Sequence, residues 1–66
     1  MSSEVEQIQR FIKDSLEAGN SHFTYIMYEN WCKEKNEEPI EAGRFNAIIL
    51  TRFGFAWTKE KGFKIE

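Results

Sequence analysis

The side chains of this sequence that could do chemistry are suited to holding a partner more than to making or breaking bonds. Lys59, Lys61 and Lys64 cluster around Gly62 near the C-terminal end, with Arg44, Asn46 and Arg52 a short way upstream. Lysine and arginine meet phosphate oxygens, and arginine and asparagine also make directional hydrogen bonds to base edges. Covalent chemistry has far less to draw on. His22 is the only histidine; a general base needs a nucleophile or acid partner and a metal needs further ligands, and neither is indicated. A turn or capping role is expected for it. Cys32 is the only cysteine. No histidine or basic cluster activates it, so it reads as a small buried hydrophobe. It has no disulfide partner, and the chain alone cannot build a zinc cage.

Two further groups have a functional and a plainer reading. Tyr25, Tyr28 and Trp31 could stack on bases. Their steps of three, with Cys32 four after Tyr28, instead put them on one face of a helix, the core face. Glu34, Glu37, Glu38 and Glu41 could imitate phosphates or ligate calcium, but they lack EF-hand spacing and read as a solvated turn. No phosphate-loop pattern GxxxxGK[ST] occurs. The expectation is a protein without catalytic residues, cofactor or metal.

Sixty-six residues make one domain, 1–66, near the lower limit for folding without disulfides or metals. Six Phe, two Tyr and two Trp help, because aromatics bury large areas from few positions. With 41% hydrophobic and 30% charged residues the chain is globular in type. It contains no signal peptide and no apolar run long enough to span a membrane. A soluble protein of the cytoplasm, in a bacterium or a virus-infected cell, is expected. Net charge is −2, a mild argument against nucleic acid, but the average hides an asymmetry. Residues 1–39 hold four Lys/Arg against eight Asp/Glu, whereas residues 40–66 hold five against three. A nucleic-acid surface, if present, belongs to the C-terminal part.

The elements that must position these residues follow from periodicity. Val5, Ile8, Ile12 and Leu16, widened by Phe11, predict a helix over 3–18, with Ser3 and Glu6 as a capping box and Gly19 as the stop. The stretch "GNSHF" predicts a turn and a short extended piece. A second helix is expected from Ser21 or Thr24 to Lys35, ended by Asn36 and by the break before Pro39. Phe45, Ile49 and Phe53 predict a third helix over 41–53, ended by Gly54. Phe55 and Trp57 then alternate with Ala56 and Thr58, and Phe63 and Ile65 with Lys64 and Glu66, around the loop "KEKG". That is a β-hairpin. Helix, extended piece, helix, turn, helix and hairpin describe an α+β, mainly α fold: a small winged helix-turn-helix with three helices and a C-terminal β-hairpin wing.

The sequence also resembles the small winged-helix domain at the C-terminus of phage, plasmid and poxvirus-type primase-helicases. Tyr25, Tyr28, Trp31 and Cys32 match that pattern's first element. Pro39, Phe45, Ile49, Gly54 and Phe55 match its middle, and Lys61, Gly62 and Ile65 its end. Helix 1, with Val5, Phe11 and Ile12, also fits, so the likeness covers nearly the whole chain. Glu41, Ala42 and Gly43 stand where that family usually has serine followed by basic residues. The resemblance implies binding of double-stranded DNA in a phage or mobile-element replication setting, alongside a replication protein in cis or in trans.

On a helical wheel the face opposite Phe45 and Ile49 carries Gly43, Ala47, Leu50 and Thr51, with Arg44 and Asn46 at its edges. The DNA reading sets Arg44, Asn46, Ala47 and Thr51 toward the major groove, Arg52 at a phosphate, and Lys59, Lys61 and Lys64 along the backbone. Amide groups at the start of the third helix would add a phosphate contact, opposed by Glu41. The alternative is a protein-interaction module, docking a replication or regulatory protein through the third helix, with Leu50 as anchor, or through the acidic face.

Overall fold

The computed structural model describes residues 4–65. The first helix, α1 (Glu4–Glu17), buries Ile8, Phe11, Ile12 and Ser15. The expected stripe is therefore rotated. Val5 is half-buried and Leu16 is 53% exposed. At ~100° per residue these two lie about 70° and 90° from the centre of the buried set, so they fall at its edge, and small Ser15 takes the inner position. Ser3, the expected cap, lies outside the described residues. The chain leaves α1 at Gly19, as expected, and enters a two-residue strand, β1 (His22–Phe23).

Thr24 settles where the second helix begins. Its hydroxyl accepts the Met27 amide at 3.3 Å, capping α2 (Tyr25–Glu34). Asn36 then takes the left-handed conformation (φ 58°) that turns the chain toward Pro39. The third helix has two parts: α3 (Ala42–Ile48), followed by a π-helical turn (Ile49–Phe53). The Gly54 amide closes on the Ile49 carbonyl at 2.9 Å, and Gly54 itself has φ 67°. The wider turn was not predicted. It accompanies the stacking of Phe53 on Phe55, ring centroids 5.6 Å apart.

The hairpin forms as expected, from β2 (Trp57–Thr58) and β3 (Gly62–Lys64). β1 adds a third strand, so the sheet is antiparallel in the order β1-β3-β2. Glycine at position 62 is imposed by this geometry. Its φ is +84°, and a Cβ there would run into the Phe23 carbonyl and approach Thr24 Cγ2 at 2.9 Å. The result is a three-helix, three-stranded winged helix-turn-helix. Its core joins Ile8 and Phe11 of α1, Phe23 of β1, Tyr28 of α2, Phe45 and Ile49 of the third helix and Phe63 of β3.

Tyr25, Tyr28 and Trp31 do more than fill that core. The Tyr28 ring stacks on Phe45 at 4.4 Å, fixing α3 against α2. Its hydroxyl accepts the buried Ile40 amide at 2.9 Å and donates to Gln7 Oε1 of α1. Burial holds the Tyr28 phenol well above its ordinary pKa, which keeps the donating proton in place. Tyr25 donates to the Ile40 carbonyl, so both backbone groups of Ile40 are gripped by α2. Trp31 Nε1 donates to Asp14 Oδ2 at 2.9 Å, tying α2 to α1.

Tyr28→Phe leaves the Ile40 amide buried without an acceptor, which costs about 1–3 kcal/mol. Thermal melting followed by circular dichroism should show a midpoint lowered by about 4–8 °C per kcal/mol. An unchanged midpoint would mean that the turn does not depend on this hydroxyl.

Candidate nucleic-acid interface

The third helix offers one bare face. Phe45 and Ile49 turn inward, while Gly43, Arg44, Asn46, Ala47, Leu50, Thr51 and Arg52 are all exposed. Gly43 is not demanded by packing inside the chain. A Cβ there would meet nothing closer than Glu41 Oε1 at 3.9 Å. Without a side chain, Gly43 leaves the backbone there open to close approach. Asn46 and Ala47 are exposed on this face. Thr51 is exposed, but its hydroxyl proton is already used: Oγ1 donates to the Ala47 carbonyl at 2.6 Å. It can offer a groove its methyl group and a lone pair, and no donor.

Arg44 is not the free cation expected at the groove edge. Its Nε bonds Glu4 Oε1 at 2.5 Å, because the first turn of α1 lies beside the start of α3. Both side chains are substantially solvated, so this pair is weak enough to open in favour of a phosphate. Glu41 occupies the N-cap of α3 without a side-chain capping bond, and α3 has only seven residues. The helix start therefore offers no anion site of its own.

The wing holds the remaining cations. Lys59 and Lys61 flank Glu60 at the hairpin tip, which Thr58 braces: its Oγ1 donates to the Gly62 carbonyl at 2.6 Å and accepts the Lys61 amide at 3.2 Å. Lys64 on β3 pairs across the sheet with His22 on β1. His22 thus belongs to the short extended piece expected after the turn, and its Nδ1 lies 2.9 Å from Ser21 Oγ. Together with Thr58, Lys59, Glu60 and Lys61 it lines a shallow cleft on the wing. Among the described residues, Arg52, Lys59, Lys61 and Lys64 have no carboxylate within ion-pair distance. The ion pairs Glu4–Arg44, Arg10–Glu37 and Asp14–Lys35 each involve α1.

Trp57, like Leu16, is more exposed than its sequence period implies. Strand alternation sets it on the inner face with Phe55, yet Phe55 is buried and Trp57 is 58% exposed. β2 is only two residues long and forms one edge of the sheet. Period alone could not reveal this.

Cys32 is fully buried, and burial pushes its thiol pKa up, away from nucleophilic character. No cluster of three or more metal-ligating side chains occurs among the described residues. No helix among them is long and apolar enough to cross a membrane. No protein family, curated protein or solved structure matches the chain.

The acidic turn is only partly the solvated segment expected. Glu37 receives both Arg10 guanidinium nitrogens at 2.8 Å and Gln7 Nε2 at 3.2 Å, and Gln7 also reaches the Glu38 carbonyl. The hydrogen bond from Arg10 holds the Glu37 carboxyl below its ordinary pKa of 4.5. A carboxyl depressed by folding adds stability above its unfolded pKa, and that stability is lost as pH falls through the folded value. Denaturant titrations between pH 7 and 2 should therefore show an acid-side loss beginning near pH 4.5. Glu37→Gln should flatten that limb and leave the neutral-pH value only slightly lowered. An unaltered limb would place the acid sensitivity elsewhere.

Proposed function

We propose that this chain is a double-stranded-DNA-docking module of the replication-associated type that its sequence resembles, working without chemistry. The separation of charge in a winged helix-turn-helix supports this reading most directly. Glu4 and Asp14 of α1 and Glu37 of the turn are drawn into ion pairs with Arg44, Lys35 and Arg10, while Arg52 and the three wing lysines remain unpaired among the described residues. In this reading Asn46 and the methyl groups of Ala47 and Thr51 meet the floor of the major groove, and Arg44 leaves Glu4 to join them. Arg52 and the wing lysines follow the phosphates.

The net charge of −2 gives little long-range attraction. One small module buries only about 600–1,000 Å². Binding on its own is accordingly weak and largely independent of sequence, with dissociation constants on the order of 1–100 µM at physiological salt. The module works best tethered to, or bound beside, a larger replication protein already on DNA, where effective concentration replaces affinity.

Fluorescence anisotropy with a mixed-sequence duplex should give a log–log salt slope of about −3 to −3.5, as expected for three or four phosphate contacts. Lys59→Glu with Lys61→Glu should abolish binding at ~20 mM salt, within the range where counterion release dominates. A second reading has its own observation. Leu50, 52% exposed beside Ala47, is a suitable anchor for a protein partner. Absence of DNA binding at the lowest salt would favour that reading over DNA docking.

A further inference from the structure

The register of the sheet sets three aromatic rings in one row: Phe23 opposite Phe63, and Phe63 opposite Trp57. The row runs from the core into solvent. Phe23 is fully buried and Phe63 nearly so, while Trp57 is 58% exposed. Its indole rests edge-to-face on Phe63 at 5.1 Å, which fixes it without covering it. Indoles are seldom left this open, and its N–H has no partner among the described residues. Lys59 follows two residues later, ~7 Å along the chain at strand rise, and Lys61 stands beyond it at the tip.

We infer that Trp57 is a stacking platform for an unpaired nucleobase, and that the preferred ligand is a DNA duplex continuing into a single strand. The inference rests on the DNA-docking reading and narrows its substrate. A planar apolar surface beside unpaired lysines is complementary to a nucleotide, whose base presents a π-face and whose backbone presents an anion. Inside a continuous duplex each base face is already covered by its neighbours, and exposing one carries an unstacking cost. At a junction the first unpaired base has a free face. The third helix then holds the duplex side, Trp57 takes that base, and Lys59 and Lys61 take the adjoining phosphates.

The test compares a blunt duplex with the same duplex carrying a single-stranded extension of ~6 nucleotides, within the span of small single-strand sites. Only two tryptophans are present, and Trp31 is buried, so the emission lost in Trp57→Phe reports residue 57. The extended duplex should bind roughly 5- to 100-fold more tightly than the blunt one and quench that emission. Trp57→Ala should remove the advantage while leaving blunt-duplex affinity unchanged, and Trp57→Phe should retain part of it. Trp57→Thr, which keeps strand propensity, is measured alongside in case the alanine variant fails to fold. Equal affinity for the two duplexes, or an advantage that survives loss of the indole, would overturn the inference and leave duplex docking standing. Absence of binding to either would overturn both.

Discussion

The structure depends on how a turn without regular hydrogen bonding is held between two helices. Ile40 lies in that turn with its side chain 7% exposed, and its backbone polar groups cannot be left unsatisfied. Tyr28 accepts its amide and Tyr25 donates to its carbonyl, while the Tyr28 ring stacks on Phe45. One residue thereby fixes the turn, the spacing of α2 from α3 and, through Gln7, the position of α1. The orientation of every exposed side chain on the third helix follows from that contact. A 66-residue chain with no disulfide has few other means of setting the angle between its helices.

That scaffold also sorts the charges. α1 gathers the acidic turn through Arg10 and Gln7 and holds Arg44 through Glu4. The wing lysines stay free of such pairs among the described residues. A chain acidic on average can thus present a cationic edge. The cost is weak attraction at long range, which suits the proposed role of a module brought to DNA by something larger. The same economy explains the bare third helix, whose small residues favour close approach over strong individual contacts.

Much of this was legible in the sequence. The helical spacing of Tyr25, Tyr28 and Trp31, the left-handed Asn36 and the stops at Gly19 and Gly54 are local features, and local features fix the element order. The parts that were not legible depend on contacts distant in sequence. Ile40 gave no periodic signal because it is an isolated residue in a turn. Glu37 reads as solvated until Arg10, 27 residues away, is brought beside it. Leu16 and Trp57 follow the right period but fall where no neighbouring element covers them. The π-helical turn also escapes period analysis, because the sequence pattern of Phe45, Ile49 and Phe53 suits an α-helix equally well. For the site, the residue types were readable, whereas the capture of Arg44 by Glu4 and of the Thr51 hydroxyl by Ala47 was not.

The central claim is that the bare third-helix face and the wing together form the DNA-docking surface. The most direct measurement is a two-dimensional amide NMR titration of the ¹⁵N-labelled chain with a short duplex. The account predicts that shifts gather at residues 43–52 and 59–64, while the outward amides of α1 around Glu6, Gln9 and Lys13 stay in place. Shifts confined to α1 and the acidic turn, or an unchanged spectrum at low salt, would contradict it.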